Sequence, residues 1–383
     1  MSRRILPAAL ALAVAGAGAG AFTSGRAADV LILRVGVAVE RPSLHVASDG
    51  PVLAEDTDTG VAVALAGRTW IILPALGGLD VGGSIFGPRA RLSPQVGVLR
   101  VEGRGYRGVI EIRRTPEGRL TAINEIDLEA YLYGVIKAEI DPQWPPEAVK
   151  AQAVAARTLA LERVNASRAH PAVTGFDLPA TTDAQLYLGV AAEDPAAVAA
   201  VDATRSLVVT YQGHPIFAAY HSNSGGHTED SEHVWGTIYP YLRGVPDPYA
   251  LGAPGAWWSA RLPLAAVAAQ LRRGGVGVPA LLGVLPASMT PWGRAITVRL
   301  LGEDGRTREI SANRFRLLVG PEVLRSTMFT IVHRGADIEF SGRGAGHGVG
   351  LDQWGARSMA AGGFTYEQIL KYYYTGVAIE QRF

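Results

Sequence analysis

The chain has 383 residues, and 36 Lys and Arg oppose 35 Asp and Glu for a formal net charge of +1 at pH 7. Because 48% of the residues are hydrophobic and 19% are charged, the chain can bury a sizeable core, which argues against disorder. The balanced charge gives no support to a nucleic-acid partner, and the lack of cysteine excludes disulfides, thiolate nucleophiles and thiolate metal ligands.

Residues 1–28 have the layout of a secretory signal. Arg3 and Arg4 precede an apolar run rich in Ala and Gly, which extends over residues 5–22 and is followed by small residues. We predict a cleaved signal peptide, with a retained membrane anchor as the alternative because the run approaches spanning length. Either form predicts a protein of the cell envelope, secreted or periplasmic.

The next part of the chain is predicted to be rich in β-structure. Residues 29–104 contain short apolar runs such as "VLILRVGVAVE" and "TWIILPAL", separated by Gly, Pro and Asp. Over residues 105–383 strands and helices are interleaved without regular βαβ spacing, which favours an α+β fold with a mixed sheet and packed helices. Whether the first region is an added module or part of the same core stays open.

Several element boundaries can be predicted. Asp127 is a candidate N-cap, and apolar residues recur at helical spacing over residues 128–135. A second, alanine-rich helix is predicted to begin near Pro146, since proline is tolerated in a first turn. A hairpin is predicted about residues 212–213, and a helix capped at Thr365 precedes a final strand.

Glu139 is a candidate catalytic acid because the segments on both sides of it would fix its position. It lies between the end of an apolar segment and a Trp144-Pro145-Pro146 corner that opens the second helix. A free glutamate titrates near 4.3; burial beside Trp144 would raise its pKa, and a close Arg157 would lower it. The alternative is an ordinary surface glutamate at a helix end.

A second cluster is "AYHSNSGGHTEDSEHVWG". His221, His227 and His233 follow one another at even spacing, which on extended backbone keeps side chains on one face. Three imidazoles plus water would suit an open zinc site, although the Gly225-Gly226 pair argues against one continuous strand. The alternative is a polar turn whose side chains bond their own backbone: Ser222, Asn223 and Ser224.

A third cluster is "GRGAGHGVGLDQWGARSMA", in which glycine occupies every second position from Gly342 to Gly350. The spacing matches neither a phosphate-binding loop nor a dinucleotide fingerprint. With His347 and Gln353 nearby, it predicts a polar cleft with a glycine floor, and a structural tight turn is the alternative. "SNSGG" also lacks the Gly-x-Ser-x-Gly elbow of a serine hydrolase.

In this order, "GVIKAEI", "AQAVAART", "AAYHSNSGGHTEDSEHVWG" and "GRGAGHGVGLDQWGARSMAAGGFTYEQILKYYYTGVAI" resemble the SpoIID/LytB family of bacterial cell-envelope proteins, over about residues 105–383. The resemblance implies peptidoglycan glycan strands as the ligand. In the sporulation branch it implies a lytic transglycosylase that cleaves between N-acetylmuramic acid and N-acetylglucosamine. The LytB branch implies instead a non-catalytic enhancer of a cell-wall amidase.

The resemblance also assigns roles to residues. Glu139 corresponds to the catalytic acid of the family. Arg157, His221 and Ser222 correspond to polar residues of the family motifs, whereas Asn223 stands in place of a common Thr or Ser. The residues that we expect to bind substrate are these four together with Ser224, His347 and Gln353. No cofactor is required, and zinc at the three histidines remains an alternative as a structural or substrate-orienting ion. The chain departs from the family where Asp352 and Trp354 stand in place of the usual Ser and Tyr.

Overall fold

The computed structural model describes residues 30–170, 174–181, 184–278 and 280–383. Helices and strands are mixed along these ranges, which confirms the α+β prediction. The predicted signal peptide over residues 1–28 lies outside the described residues. Within them, no helix is both long enough and apolar enough to cross a membrane.

The chain begins with antiparallel strands. They are β1 (Ile32–Arg41), β2 (Leu44–Ser48), β3 (Val52–Asp56), β4 (Ala62–Ala64), β5 (Thr69–Ala75), β6 (Gly78–Val81), β7 (Ser84–Phe86), β8 (Arg89–Pro94), β9 (Leu99–Val101), β10 (Arg104–Tyr106), β11 (Val109–Arg114) and β12 (Leu120–Asp127). A six-stranded sheet has the order β10-β9-β2-β5-β6-β7. A seven-stranded sheet has the order β13-β1-β12-β11-β8-β3-β4, in which β13 (Leu178–Pro179) runs parallel to β1.

The first strands share their core with the helices that follow. β1 pairs along β12, and β8 pairs with β11, so the larger sheet runs across the boundary suggested by the sequence at residues 104–105. Leu33 of β1, Ile110 of β11 and Leu128 after β12 belong to one buried cluster. Residues 30–104 therefore do not enclose a core separate from the rest.

The described helices include the three predicted after Asp127, near Pro146 and after Thr365. In chain order, the described α-helices are α1 (Leu128–Tyr133), α2 (Ile136–Glu139), α3 (Pro146–Ala169), α4 (Pro195–Ala203), α5 (Ser231–Trp235), α6 (Leu264–Arg273), α7 (Ala312–Val319), α8 (Gln353–Ala361) and α9 (Tyr366–Tyr373). The Asp127 side chain caps α1 by accepting from two backbone N–H groups, and Thr365 forms a capping box with Gln368 at α9. Both predicted caps are confirmed.

α3 lies between two cores. Its Ala153 and Ala156 belong to the cluster of the first sheets, whereas Ala151 and Ala155 belong to a second cluster with α8 and α9. Small side chains on both faces allow this close packing on two sides. The second cluster also contacts a sheet of β15 (His214–Pro215), β14 (Leu207–Tyr211) and β24 (Ala378–Gln381), which includes the predicted hairpin.

A third cluster is built from the segment between residues 257 and 343. Its strands are β17 (Trp257–Pro263), β18 (Leu281–Met289), β19 (Ala295–Gly302), β20 (Thr307–Ser311), β21 (Phe329–Arg334) and β22 (Asp337–Arg343). They form two three-stranded sheets that pack with α6 and α7. Between the second and third clusters, β16 (Tyr220–His221) pairs in parallel with β23 (Leu351–Asp352) and joins two of the predicted motifs.

Candidate active site

Glu139 ends the single turn of α2 and faces a cleft of about 570 Å³. The Trp-Pro-Pro corner fixes the chain just after it, because Trp144 packs on Trp354 of α8 with ring centroids 4.8 Å apart. The Arg357 guanidinium lies over both indoles, 5.7 Å and 5.2 Å from their centroids. The segment after Glu139 is therefore fixed, as predicted, and an aromatic contact between the Trp-Pro-Pro corner and α8 fixes it.

The cleft is walled by several elements. Its lining residues are Glu139, Leu159, Arg163, Ala184, Phe217, Ala219, Tyr220, Trp235, Asn313, Arg316, Leu317 and His347. Helix α7 of the third cluster thus faces α2 and α3 across the opening. Of the described lining residues, Glu139 alone carries a carboxylate.

Burial and hydrogen bonding have opposite effects on the pKa of the Glu139 carboxyl group. Its burial raises the pKa, and hydrogen bonds from the Tyr220 side chain and the Leu186 backbone partly oppose that rise. The main chain is held as well, since Gln353 Nε2 donates to the Glu139 carbonyl at 3.3 Å. Gln353 thus holds the main chain of Glu139 and does not line the cleft.

Tyr220 is a site residue that the sequence analysis missed. Its hydroxyl accepts from Gln185 Nε2 at 3.2 Å, while Gln185 Oε1 accepts from the Tyr131 hydroxyl at 3.4 Å. A relay of uncharged groups therefore ends at the Glu139 carboxylate. The sequence did contain a signal for Tyr220. On a strand, neighbouring side chains point to opposite faces, so a motif strand with His221 on one face presents Tyr220 on the other.

His347, which lines the cleft, and its neighbour His221 are uncharged imidazoles. Their ring centroids are 5.4 Å apart, and His347 lines the cleft. Burial lowers the pKa of His347 to about 4 and holds the pKa of His221 well below its ordinary value. His221 Nδ1 is 3.1 Å from the Val349 carbonyl, and its buried Nε2 has no hydrogen-bond partner in the described parts.

Comparison with known proteins shows the family of this chain. A family model described as Stage II sporulation protein, SpoIID, matches residues 116–211. The chain is 31% identical over 272 residues to Stage II sporulation protein D of Bacillus subtilis, which covers 68% of this chain and 76% of that protein. The chain belongs to the SpoIID/LytB family.

Two other relatives show the range of the family. An uncharacterized protein of Brachyspira hyodysenteriae is 35% identical over 262 residues, which cover 68% of each chain. A protein named amidase enhancer from Bacillus subtilis is 30% identical over 292 residues, or 65% of this chain and 40% of that protein.

The structure corrects the role expected for Arg157 from the SpoIID/LytB motif. Its side chain is fully buried, and Nη2 and Nε contact the Glu129 carboxylate at 2.6 Å and 2.9 Å. The same guanidinium donates to the carbonyls of Val201 and Leu207. With its donors used inside the protein, Arg157 joins α1, α3 and the start of β14 and does not contact a ligand in the cleft.

Two neighbouring polar side chains, those of Asn223 and Ser224, also have partners outside the cleft, and a third residue, Ser222, does not line it. The Asn223 side chain donates to the Ala250 carbonyl, and Ser224 Oγ donates to Asp247 at 2.9 Å. Both residues are buried, and Ser222 is outside the cleft lining as well. The expectation that these three side chains bind substrate is therefore not supported by their positions, and Asn223 and Ser224 fix loops instead.

The predicted zinc ligands do not come together. The His227 ring stacks on Trp292 with centroids 3.9 Å apart, whereas His233 Nδ1 is 2.9 Å from the Glu229 carboxylate. His221 contacts His347, so each of the three imidazoles has a different environment. Among the described residues, the one ligand-like group near here is Glu229, Asp230 and His233, and it includes neither His221 nor His227.

The glycine loop serves packing more than ligand contact. A Cβ on Gly346 would lie 2.8 Å from the His221 Cβ, and one on Gly350 would lie 2.2 Å from the Ala219 carbonyl. Both residues also have positive φ. The loop that was expected to form a glycine floor thus packs against residues 219–225. This packing positions His347, which lines the same cleft as Glu139.

Proposed function

We propose that this protein is a peptidoglycan lytic transglycosylase in which Glu139 is both acid and base. The observation that carries the proposal is a single half-buried carboxyl group, with a raised pKa, in a polar cleft that has no second carboxylate among its described lining residues. A cell-envelope location, secreted or periplasmic, belongs to the same proposal because the glycan is found there.

One carboxyl group is sufficient for this reaction. Glu139 donates its proton to the glycosidic oxygen as the bond from that oxygen to C1 of the muramic residue breaks. The resulting carboxylate then takes the proton of the sugar's own 6-hydroxyl, whose oxygen bonds to C1 and closes a 1,6-anhydro ring. Ordinary glycoside hydrolysis uses two carboxylates, one of which activates water or attacks C1.

The surroundings of Glu139 suit both steps. Burial favours the protonated form that the first step needs. The Tyr220 hydroxyl then stabilises the carboxylate that remains after proton transfer. Because His347 is uncharged above about pH 4, it can bond sugar hydroxyls without adding a positive charge next to the acid.

A second candidate function is supported by one comparison. The similarity to a protein named amidase enhancer favours a chain that binds glycan strands without cutting them and assists a cell-wall amidase. In that case the cleft would hold sugar, and Glu139 would serve only as a hydrogen-bonding group.

Mass spectrometry of purified glycan strands tests both candidates. The parent should produce 1,6-anhydro-muramic ends, and Glu139→Gln should lower the rate by roughly 10²–10⁴ because positioned acid catalysis is lost. Asp141→Asn is the matched control, since Asp141 is exposed and its side chain accepts a hydrogen bond from the Gln143 backbone N–H. It should leave the rate unchanged.

Other outcomes would redirect the assignment. Undiminished cleavage by Glu139→Gln would remove Glu139 as the acid. Reducing ends in place of anhydro ends would mean hydrolysis and would point to a second carboxylate, with Asp141 the first to examine. No product from the parent, together with retained glycan binding, would favour the amidase-enhancer function.

A further inference from the structure

A second groove, of about 700 Å³, lies on the third cluster outside the cleft of Glu139. Strands β17, β22 and β21 form its floor, and the turn after β18 forms one side. The lining residues are Trp257, Trp258, Ser259, Met289, Gly293, Met328, Phe329, Thr330, Ser341, Gly342 and Arg343. We call this surface the tryptophan groove.

Large aromatic faces in this groove are open to solvent. Trp257 is 66% exposed, and Trp292, in the adjoining turn, is 46% exposed. The Arg343 guanidinium lies 5.8 Å from the Trp257 ring centroid and donates to the Trp292 carbonyl at 3.4 Å. Exposed indoles held by their surroundings are a feature of binding surfaces, since folding alone gives no reason to leave them uncovered.

The tryptophan groove and the cleft are linked through the glycine loop. Trp258 Nε1 donates to the Gly344 carbonyl at 3.0 Å and so anchors the glycine loop. Arg343 lines the groove and His347 lines the cleft, and four residues of chain reach at most about 14 Å. A glycan strand is longer than this separation, so one strand is long enough to contact both surfaces.

The chemistry of the groove fits a pyranose ring. A β-linked N-acetylated sugar has an apolar face of axial C–H groups and an edge of hydroxyl and amide groups. The indole face of Trp257 matches the first, and the hydroxyls of Ser259 and Ser341 with the Arg343 guanidinium match the second. A lipid chain would leave these polar groups without partners.

We propose that the tryptophan groove is a second glycan-binding surface, which holds sugars of the same strand that Glu139 cleaves. The identity of the strand rests on the function proposed above, whereas the binding itself does not. It follows that long strands bind more tightly than oligosaccharides that fill only the cleft, because two linked contacts act on one ligand.

The test measures binding in a Glu139→Gln background, so that cleavage does not enter. The probes are chitohexaose, chitobiose and purified glycan strands, followed by calorimetry. Trp257→Ala should weaken binding of chitohexaose roughly tenfold, an effect typical of losing one stacked aromatic contact, and should change chitobiose binding much less. Trp257→Phe keeps an aromatic face and should restore most of the affinity.

Leu285→Ala is the matched control, because Leu285 is 42% exposed on the same unit and is not part of the groove lining. This variant should bind every probe with the same affinity as the Glu139→Gln background. Equal losses for the long and short probes in Trp257→Ala, or no loss for the long one, would overturn the proposal. Since binding is read without turnover, a parent that fails to cleave glycan would contradict the proposed function and leave this test intact.

Discussion

The protonation state of Glu139 is set by opposing neighbours. Burial raises its pKa, and the hydrogen bond from Tyr220 favours the charged form. No cationic group is among the causes that move this pKa, although Arg163 and Arg316 line the same cleft. The strength of the Tyr220 bond should therefore be visible in the pH dependence of the reaction.

Tyr220→Phe should move the alkaline limb of the pH–rate profile to higher pH. Without the donor, the Glu139 carboxylate is less stable, its pKa rises further, and the acid stays protonated over a wider range. The measurement is kcat/KM against pH for anhydro-product formation. Tyr131→Phe is the control, because its hydroxyl reaches the relay only through Gln185 and should give a smaller change. An unmoved alkaline limb in Tyr220→Phe would contradict the relay.

Single-residue roles were only partly predictable. The Trp-Pro-Pro corner after Glu139 predicted that its backbone is fixed, whereas its role as the acid was expected from the resemblance and stays a proposal. Arg157 could not be separated from a ligand-binding arginine, since its partner Glu129 lies one helix earlier and spacing does not reveal which face of α3 meets α1. The same limit applies to the three histidines, because even spacing places side chains on one face only where the backbone is extended.

At the start of α8, two buried carboxyl groups face each other. Asp352 caps the helix by accepting from the Gly355 N–H, and it is hydrogen-bonded to Asp247. Asp247 also accepts from the Ser224 and Tyr373 hydroxyls. Burial and the second carboxyl raise the pKa of Asp352 well above its ordinary value, so the pair retains a proton in the folded state.

Asp352→Asn should reduce the loss of stability that accompanies rising pH. A raised carboxyl pKa means that folding stability is full below the unfolded pKa of about 3.9. It then declines as pH rises through the folded pKa, by about 1.4 kcal/mol for each pH unit that separates the two values. Asparagine can still accept from the Gly355 N–H and donate to Asp247 without needing a proton, but it gives up the bond that Asp352 accepts from the Ser224 N–H, a cost that does not depend on pH. Denaturant unfolding from pH 4 to pH 9 measures this effect, and Asp127→Asn controls for the change of an N-cap aspartate as such.

Equal pH dependence in Asp352→Asn and the parent would show that the pair does not hold a proton. The position is one where the chain departs from the usual family residue, Ser. The sequence does not predict a helix start at Asp352, and it could not show that a second carboxylate, Asp247, meets this cap from a different loop. Local caps such as Asp127 and Thr365 are predictable for the opposite reason, since their partners lie within the next turn.

Across the molecule, the sequence predicted the kinds of element better than their partners. The strands before residue 105 were correctly expected, but strand order depends on pairing between distant segments, such as β1 with β12. No local pattern specifies that β1 lies between β12 and β13. The result is a sheet that links the first strands to the helices carrying Glu139.

Leu33→Ala tests whether this sheet and the active site fold as one unit. Leu33 is fully buried in β1, pairs with Ile126 and belongs to the cluster that includes α1 and α3. Removing its side chain should cost about 2–5 kcal/mol and lower the temperature at which glycan-cleaving activity or glycan binding is lost. Leu73→Ala, at a position 45% exposed on β5, should cost less than about 0.5 kcal/mol. If the first strands were an independent module, Leu33→Ala would melt them alone and leave the thermal loss of active-site function unchanged.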